Sequence, residues 1–371
     1  MKKQSLFIFC FLFTAGAVIG AERVKQINLF VSGQEDVAYY RIPALVTSNK
    51  GTLIAVCDAR VDRVNDAPNN IDLVMKRSFD YGKTWTNMKT IVDFPGQEAA
   101  TDPCLLVDRI TGTIWLFYDY AIPQDGLLRN REIWLYVTKS DDEGETWSKP
   151  IDLTPILKKP EWNYIASSPG MAIQSRSGRL IVPTYSVRLE GKQYSSHLVY
   201  SDDHGKTWKL SAEVGLSQNE PQVVELVDGS LMINMRQMHK KGCRAIASTK
   251  DWGETWSDVI DETILIEPRC QASFIRYTDQ RSGNSKNRLL FSNPASTSNR
   301  INMTVRLSND EGKTWPVSKV IHDGPSAYSC LTVLPDGTIA LLYERGDNSP
   351  YEKITFARFS LEWLTNGRDK F

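Results

Sequence analysis

One segment of eight residues, with the pattern S/T-x-D-x-G-x-T-W, occurs five times in this chain. The copies begin at Ser78, Ser140, Ser201, Thr249 and Ser308. Their spacing gives an internal period of about 60 residues, which is typical of a repeat architecture. In such folds similar units pack side by side, because one unit cannot bury its apolar surface alone. The repeat therefore restricts the chain to an assembly of similar modules.

A second pattern has six copies. Each copy is an apolar run, a turn that contains glycine and a second apolar run, which predicts a β-hairpin. The copies begin at Arg41, Asp102, Ser168, Glu220, Cys270 and Tyr328. In most units a third strand leads from the hairpin into the eight-residue segment, and a fourth strand follows it. We therefore predict an all-β fold, a six-bladed β-propeller of four-stranded antiparallel blades, whose last unit lacks a true eight-residue segment.

The repeated segment itself combines serine, aspartate and glycine, which suggests a binding site. A calcium loop of the EF-hand type needs several more oxygen ligands and a distal glutamate, and these are missing here. Glycine two residues after aspartate instead favours a turn, in which the carboxylate accepts local backbone N–H bonds and the tryptophan packs between strands. We expect turns between the third and fourth strands, with no metal and no cofactor.

The strand order predicts which side chains meet. Strands alternate in direction, so all five repeated segments lie on one face, the bottom face. The starts of first strands, the ends of second strands and the loops between second and third strands lie on the opposite, top face. Charged and tyrosyl side chains at those positions are Arg41, Arg60, Asp62, Asp66, Asp102, Tyr118, Glu220, Arg236, Arg300, Tyr328 and Glu344. Charged residues are rarely buried unless they are paired, so this cluster predicts a functional pocket.

The residue types in this cluster indicate a chemistry. Arginines that face one pocket repel each other, and a planar carboxylate ligand relieves that repulsion through paired guanidinium bonds. A carboxylic acid in a loop suits a general acid. A tyrosine beside a glutamate suits a nucleophile, because the glutamate can remove the phenolic proton as attack proceeds.

With these motifs the chain resembles the bacterial and trypanosomal exo-α-sialidases of glycoside hydrolase family 33. The likeness rests on YRIP at 40–43, on NDAPNNID at 65–72 and on the five repeated segments, which are the Asp boxes of that family. It also rests on the spacing of Glu220, Arg236, Arg300, Tyr328 and Glu344, and it covers nearly everything after the N-terminal segment. The resemblance implies removal of terminal α-linked sialic acid with retention of configuration.

The resemblance also implies a role for each top-face residue. Arg41, Arg236 and Arg300 would grip the sugar carboxylate, and Glu344 would brace Arg41. Arg60 and Asp102 would contact hydroxyl and N-acyl groups. Asp66 would be the acid/base, with Asp62 as an alternative four residues earlier. Tyr328 would be the nucleophile and Glu220 its base, because an uncharged nucleophile avoids repulsion by the sugar carboxylate. Arg306 is an alternative to Arg300, but we expect it to be a solvated strand residue.

The N-terminus predicts export. Lys2 and Lys3 precede an apolar run over 6–13, and small residues follow up to Ala21. This order is typical of a secretory signal peptide, so we predict a signal peptide over 1–21 and one catalytic domain over 22–371. No later segment is long and apolar enough for a transmembrane helix. The five cysteines beyond this segment are widely spaced and odd in number, which favours buried free thiols.

The expected partners are sialylated glycans, namely glycoproteins, oligosaccharides and gangliosides. Lys+Arg and Asp+Glu both total 44, and this balance gives no reason to expect nucleic-acid binding. A trans-sialidase is the alternative activity, with Tyr118, Tyr120 and Trp162 as candidates for the rim of an acceptor site. A carbohydrate-binding propeller without catalysis is the alternative from another class.

Overall fold

The computed structural model describes residues 24–124, 127–191 and 193–371. The predicted signal peptide, 1–21, lies outside the described residues. The all-β class is confirmed, since helices are confined to α1 (Thr154–Leu157), α2 (Leu361–Leu364) and a 3-10 turn (Gln280–Ser282) within these ranges.

The strands, in chain order, are β1 (Lys25–Val31), β2 (Tyr39–Thr47), β3 (Leu53–Arg60), β4 (Ile71–Ser78), β5 (Lys89–Val92), β6 (Ala99–Val107), β7 (Ile114–Gln124), β8 (Leu127–Ser140), β9 (Ile151–Asp152), β10 (Trp162–Ser167), β11 (Gly170–Met171), β12 (Ile173–Gln174), β13 (Leu180–Arg188), β14 (Tyr194–Ser201), β15 (Lys209–Leu210), β16 (Gln218–Glu225), β17 (Leu231–Gln237), β18 (Cys243–Thr249), β19 (Ile260–Ile266), β20 (Ser273–Thr278), β21 (Arg288–Pro294), β22 (Ile301–Ser308), β23 (Val317–Val333), β24 (Ile339–Arg345) and β25 (Lys353–Phe359).

Within each sheet, strands that follow one another in sequence are usually neighbours. One sheet has the order β2-β3-β4-β6-β7-β8-β9, with β5 on β4 and β11 on β6. A second has the order β10-β13-β14-β15, with β12 on β13, and a third is β16-β17-β18-β19. The fourth has the order β1-β25-β24-β23-β22-β21-β20. Consecutive neighbours within a unit are antiparallel, as the predicted hairpins require.

Two strands join units that the sequence pattern separates. The long strand β23 pairs through its first half with β22 and through its second half with β24, so it belongs to both the fifth and the sixth unit. The N-terminal strand β1 pairs with β25, and it supplies the outer strand of the sixth unit. This pairing explains why the last unit carries no eight-residue segment, because its fourth strand comes from the other end of the chain.

Neighbouring units share their apolar cores. Leu45 and Val74 of the first unit are buried in the same cluster as Leu342 and Phe356 of the last. The two ends of the described chain therefore pack against each other. Burial of apolar surface of this kind stabilises the fold by roughly 25 cal/mol per Å². The packing between units thus contributes to the stability of this assembly.

Each repeated segment is a hydrogen-bonded turn. In the first, Asp80 accepts bonds from the backbone N–H and the hydroxyl of Thr84, at 2.9 and 2.7 Å, while the Ser78 hydroxyl donates to the same carboxylate. Gly82 has φ +78°, and a Cβ there would lie 2.3 Å from the ring of Phe356. The same serine or threonine to aspartate bonds recur in the other four copies. These bonds support a structural role for the segment.

The variable residue between aspartate and glycine contacts the preceding unit. His204 Nδ1 lies 2.7 Å from the buried Asp108 carboxylate, and Glu311 accepts a bond from the backbone N–H of Val227 at 2.8 Å. Glu143 accepts a bond from the Ser48 hydroxyl, and the Arg179 guanidinium lies 5.0 Å from the ring centroid of Trp252. Each partner belongs to the hairpin of the unit before. The repeated segments therefore fasten neighbouring units together.

The five cysteines outside the N-terminal segment all lie in the described ranges. Cys57, Cys104, Cys243, Cys270 and Cys330 are buried and unpaired, as predicted. No helix in the described ranges is both long and apolar enough to cross a membrane. In the same ranges, no group of three or more His, Cys, Asp or Glu side chains is arranged to hold a metal ion.

Candidate active site

A bulge before proline directs several of the top-face side chains. Ile42, Asp102 and Glu220 each precede a proline near the start of β2, β6 and β16, and each has a positive φ, at 59°, 56° and 40°. The pairing register shifts at the same three places. Proline has no N–H to donate to a neighbouring strand, so a bulge accommodates it. The bulges turn the side chains at these strand starts out of the sheet alternation and into one pocket.

The pocket has a volume of about 350 Å³. Its lining residues are Arg41, Ile42, Asp66, Thr101, Asp102, Tyr164, Tyr185, Tyr194, Asn219, Glu220, Arg236, Met238, Arg300, Tyr328 and Tyr351. Seven of the nine predicted site residues are among them. The other two, Arg60 and Glu344, lie behind the wall and contact residues of the lining. The nine predicted residues come from five predicted units, and Tyr185 and Tyr194 of the lining come from the remaining one.

Arg41 is held from behind by a buried carboxylate. Its Nε and Nη2 atoms lie 3.2 and 3.4 Å from the two oxygens of Glu344, which has no exposed surface. Glu344 also accepts backbone N–H bonds from Ile42 at 2.8 Å and Tyr328 at 3.0 Å. Burial opposes the charge on Arg41, but Glu344 and weaker neighbouring charges raise the pKa of the guanidinium overall. One buried carboxylate therefore fixes a cation and the backbone of a neighbouring tyrosine.

Tyr328, Glu220 and Arg236 form a second hydrogen-bonded group. The Tyr328 hydroxyl donates to Glu220 Oε1 at 2.6 Å, and Arg236 Nη1 donates to the Tyr328 oxygen at 2.9 Å and to Glu220 Oε2 at 2.6 Å. Burial and the charge of Glu220 raise the pKa of Tyr328 well above its usual value, against the opposing effect of the arginines. The tyrosine is therefore protonated at neutral pH, and its proton already faces an acceptor.

Arg300 completes the group of guanidinium side chains. Its Nη1 donates to the Tyr351 hydroxyl at 2.9 Å, and its Nη2 donates to the carbonyl of Arg269 at 3.3 Å. The guanidinium carbons of Arg41 and Arg300 both lie 5.4 Å from the centroid of the Tyr328 ring. These cations flank one tyrosine, with Arg236 bonded to its oxygen, so an anion bound here lies close to the phenolic oxygen.

Asp66 lies at the pocket mouth, on the loop between β3 and β4. Its carboxylate is 2.9 Å from Arg60 Nη1 and 3.8 Å from Arg41 Nη1, yet 66% of its side chain is exposed. Asp62, the alternative acid, accepts a bond from Gln97 at 2.8 Å and does not line the pocket. The loop path therefore puts Asp66, and not Asp62, where a ligand can reach it.

Asp58 supports Arg60 and Asp102 from beneath. The buried Asp58 carboxylate lies 3.1 Å from Arg60 Nη2 and accepts bonds from the Thr101 hydroxyl at 2.7 Å and the Asp102 backbone N–H at 3.2 Å. Burial raises the pKa of Asp58 to about 6, although Arg60 opposes the shift. Burial and the charges of Asp58, Glu220 and Asp66 raise the pKa of Asp102 well above its usual value. Asp58, Asp66 and Asp102 thus crowd one part of the pocket, with Arg60 among them.

Two predictions about neighbouring residues are wrong. Arg306 is not solvated: it is buried and donates to Asn293 Oδ1 at 3.1 Å, because β22 lies between two other strands. Tyr118 and Trp162 are not rim residues, since both belong to buried core clusters. Tyr120 is half-buried and donates to Glu98 at 2.6 Å, away from the pocket lining.

Sequence reasoning missed several residues of the site. Tyr164, Tyr185 and Tyr194 form the aromatic wall where rim residues were expected. Asp58 could have been predicted from the sequence, because it lies two residues before Arg60 on the same strand and its side chain is therefore on the same face of the sheet. No sequence pattern indicated Tyr351, since it follows β24 in a short turn whose position depends on the folded chain.

Comparisons with known proteins agree on one family. The profile of the BNR repeat-like domain matches residues 51–341. A sialidase from Micromonospora viridifaciens is 38% identical over 94% of this chain, and one from Bacteroides fragilis (strain YCH46) is 35% identical over 88%. The chain spans 56% and 63% of the lengths of these relatives. The solved structure of Hadza microbial sialidase Hz136 has a TM-score of 0.81 and 34% identity, covering 90% of this chain and 68% of that one.

The fold and the site together define a class of protein, namely an all-β assembly of repeated units with an arginine-rich pocket. Together with the matched profile and these relatives, it shows that the chain belongs to the sialidase family with BNR repeats.

Proposed function

We propose that this protein is an exo-α-sialidase, which hydrolyses terminal α-linked sialic acid from glycoconjugates with retention of configuration. One observation carries the proposal. The Tyr328 hydroxyl lies 2.6 Å from a carboxylate acceptor and 2.9 Å from an arginine, at the point where three arginines meet. That arrangement suits a nucleophile that must attack a carbon bearing a carboxylate group.

Substrate binding uses the arginines first. Arg41, Arg236 and Arg300 each present N–H donors to the pocket, and a carboxylate accepts such bonds strongly because both partners are charged. The bound carboxylate also relieves the repulsion among the three cations. The sugar is therefore oriented with its anomeric carbon, which carries the carboxylate, beside the Tyr328 oxygen. Asp102 also lines the pocket, where a hydroxyl or N-acyl group of the sugar would face it, and the buried Arg60 supports that side through Asp66 and Asp58.

The first step breaks the glycosidic bond. The Tyr328 oxygen bonds to the anomeric carbon while its proton passes to Glu220 Oε1, along the existing 2.6 Å hydrogen bond. Asp66 donates a proton to the departing aglycone oxygen, so the leaving group departs as a neutral alcohol. Arg236 stabilises the negative charge that develops on the Tyr328 oxygen.

The second step reverses the roles. Asp66 takes a proton from a water molecule, whose oxygen attacks the anomeric carbon. The bond to Tyr328 breaks, and the tyrosyl oxygen recovers its proton from Glu220. Two displacements at the same carbon give net retention. The exposure of Asp66 supports this role, because both the aglycone and the water reach the pocket from the solvent side.

We further propose that the four sheets are six blades of a β-propeller, with the repeated segments as its five Asp boxes. The shared strand β23, the pairing of β1 with β25 and the common core of the first and last units support closure of the ring. Export is also part of the proposal. It is supported by the order of charged, apolar and small residues over 1–21, and it would bring the enzyme to sialylated glycoproteins, oligosaccharides and gangliosides.

Transfer of the sugar to an acceptor is the second candidate. The 66% exposure of the Asp66 side chain favours it, since an acceptor hydroxyl could approach Asp66 as readily as water. Incubation of a sialoside with added lactose separates the two outcomes: sialyllactose indicates transfer, and free sialic acid indicates hydrolysis. A carbohydrate-binding protein without catalysis would give neither product.

The test of the proposal is release of sialic acid from a fluorogenic sialoside between about pH 4 and pH 8. Tyr328→Phe should lose at least about 100-fold in kcat while it still binds an unsaturated, 2,3-dehydro sialic acid. Tyr277→Phe is the matched control, because that hydroxyl bonds to the Gly337 carbonyl outside the pocket at 2.8 Å. An inactive wild type would refute the activity, and wild-type turnover by Tyr328→Phe would exclude Tyr328 as the nucleophile.

A further inference from the structure

Tyr351 contacts two of the three pocket arginines at once. The Arg41 guanidinium carbon lies 4.2 Å from the centroid of the Tyr351 ring, and Arg300 Nη1 donates to the Tyr351 hydroxyl at 2.9 Å. The tyrosine is half-buried, packs against the apolar cluster that contains Ile42 and Tyr328, and also lines the pocket. An aromatic face attracts a guanidinium electrostatically, because the face of the ring carries partial negative charge. One side chain thus bridges two cations that otherwise repel each other.

Arg300 depends on this contact more than the other arginines do. Arg41 has Glu344 as its counter-ion, and Arg236 has Glu220 at 2.6 Å. For Arg300, no carboxylate in the described ranges lies within 4.0 Å, and the two hydrogen bonds of its guanidinium there go to the Tyr351 hydroxyl and the Arg269 carbonyl. The orientation of Arg300 before a ligand arrives is therefore set by two neutral oxygens.

The Tyr351 hydroxyl retains a hydrogen for a ligand. A phenol is both a donor and an acceptor, and here its oxygen accepts from Arg300. Its own hydrogen has no acceptor among the described residues. Because Tyr351 lines the pocket, that hydrogen can be donated to an anion that Arg41 and Arg300 hold.

The turn that carries Tyr351 is tightly built. Glu352 accepts three backbone N–H bonds, each 2.9 Å long, from Asp347, Asn348 and Ser349. The Ser32 hydroxyl donates to the Tyr351 carbonyl at 2.8 Å. A Cβ at Gly346 would lie 1.9 Å from the Ser349 carbonyl, so the turn admits no larger residue there. These contacts fix the position of the tyrosine before any ligand binds.

We propose that Tyr351 is a positioning and specificity residue, which sets Arg41 and Arg300 at the spacing of one ligand carboxylate and adds a donor to that anion. This inference rests on the proposed function, because it takes the ligand carboxylate to be that of sialic acid. It predicts that Tyr351 acts on recognition of the carboxylate and hardly on the chemical steps at Tyr328.

The test compares Tyr351→Phe with wild type on a sialoside and on the methyl ester of its carboxyl group. Loss of a bond to a charged group should raise KM for the acid about tenfold and leave kcat within about threefold. The weak turnover of the methyl ester should not change, since that ligand cannot use the arginines as an anion does. Tyr343→Phe is the matched control, because its hydroxyl bonds to Gln26 at 2.8 Å, away from the pocket.

Two results would overturn the inference: unchanged KM for the acid, or an equal loss for acid and ester. Calorimetry with 2,3-dehydro sialic acid provides a readout that does not need turnover. If the wild type binds this ligand but hydrolyses no sialoside, the proposed function fails, while a tenfold weaker Kd of Tyr351→Phe still supports the role of Tyr351. If the wild type binds no such ligand, both proposals fail.

A second pair of variants tests the turn. Glu352→Ala removes the acceptor of three N–H bonds, and it should raise KM for the sialoside as Tyr351→Phe does. Glu352→Gln keeps one oxygen for two of those bonds and should restore KM toward the wild-type value. Equal KM values in Glu352→Ala and wild type would show that the turn does not position Tyr351.

Discussion

Replacement of Glu344 by glutamine tests the electrostatic support of the pocket. Glu344 has no exposed surface, and its two oxygens accept four hydrogen bonds. Two come from Arg41, whose side chain is only 8% exposed, and the others come from the backbone of Ile42 and Tyr328. Glutamine has nearly the same shape but no charge, and its amide nitrogen would face donors. The substitution therefore leaves a buried cation without its counter-ion.

Removal of one partner of a buried ion pair destabilises a protein by about 3–5 kcal/mol. Arg41 also lines the pocket, where solvent and Asp66 at 3.8 Å compensate part of this loss. We therefore expect the lower end of the range, about 3 kcal/mol, in the free energy of unfolding. A loss of that size lowers the ratio of folded to unfolded protein by roughly a factor of 100.

The measurement is urea denaturation at neutral pH, followed by the fluorescence of the protein's tryptophans. Glu362→Gln is the matched control, since Glu362 and Lys370 form an ion pair of 2.9 Å with side chains 49% and 78% exposed. Such a surface pair contributes about 0–1 kcal/mol. A loss below about 1 kcal/mol in Glu344→Gln would refute the reasoning, because Arg41 would then not depend on its buried partner.

Two further predictions concern the acid and the repeated turns. Asp66→Asn should lower kcat on a substrate with a poor leaving group by about 10²–10⁴-fold, whereas Asp62→Asn should stay within about threefold; the reverse order in steady-state kinetics would move the acid role to Asp62. Hydrogen bonds, led by that from the Thr207 hydroxyl, lower the pKa of Asp203 to about 2. The ionised Asp203 carboxylate therefore stabilises the folded state fully above the ordinary aspartate pKa of about 3.9. This contribution is lost as pH falls through about 2. At neutral pH, Asp203→Asn should unfold at a lower temperature than the wild type, and this difference in unfolding temperature should shrink between about pH 3.9 and about pH 2. A difference that does not change with pH would show that the ionised carboxylate does not stabilise the turn.

Much of the fold could be predicted from the sequence, because the same local pattern recurs in unit after unit along the chain. Each turn between third and fourth strands is specified by its own serine, aspartate and glycine, so its position could be assigned without tertiary information. The exchange of strands between units was not accessible. The pairing of β1 with β25 depends on contacts between residues about 330 apart in the chain, which the local pattern of neither strand specifies.

The candidate site divides in the same way. The residues at strand starts and ends, such as Arg41 and Tyr328, could be placed on one face from strand direction alone. Arg306 and Trp162 were placed wrongly, because the strand pattern of a residue does not reveal whether neighbouring strands and units cover its side chain. Tyr351 was missed because it lies in a turn, whose position depends on contacts with Ser32 and Glu352.

The sequence by itself determined the repeat, the strand order within most units and the chemical types that meet in the pocket. These properties depend on local hydrogen bonds and on the alternation of side chains along a strand. Only the tertiary structure decided which of two nearby carboxylates reaches the pocket, which residues brace the arginines and how the two chain ends pack together. Those features depend on the packing of distant segments against each other, and the eight-residue turns contribute by holding the units in place.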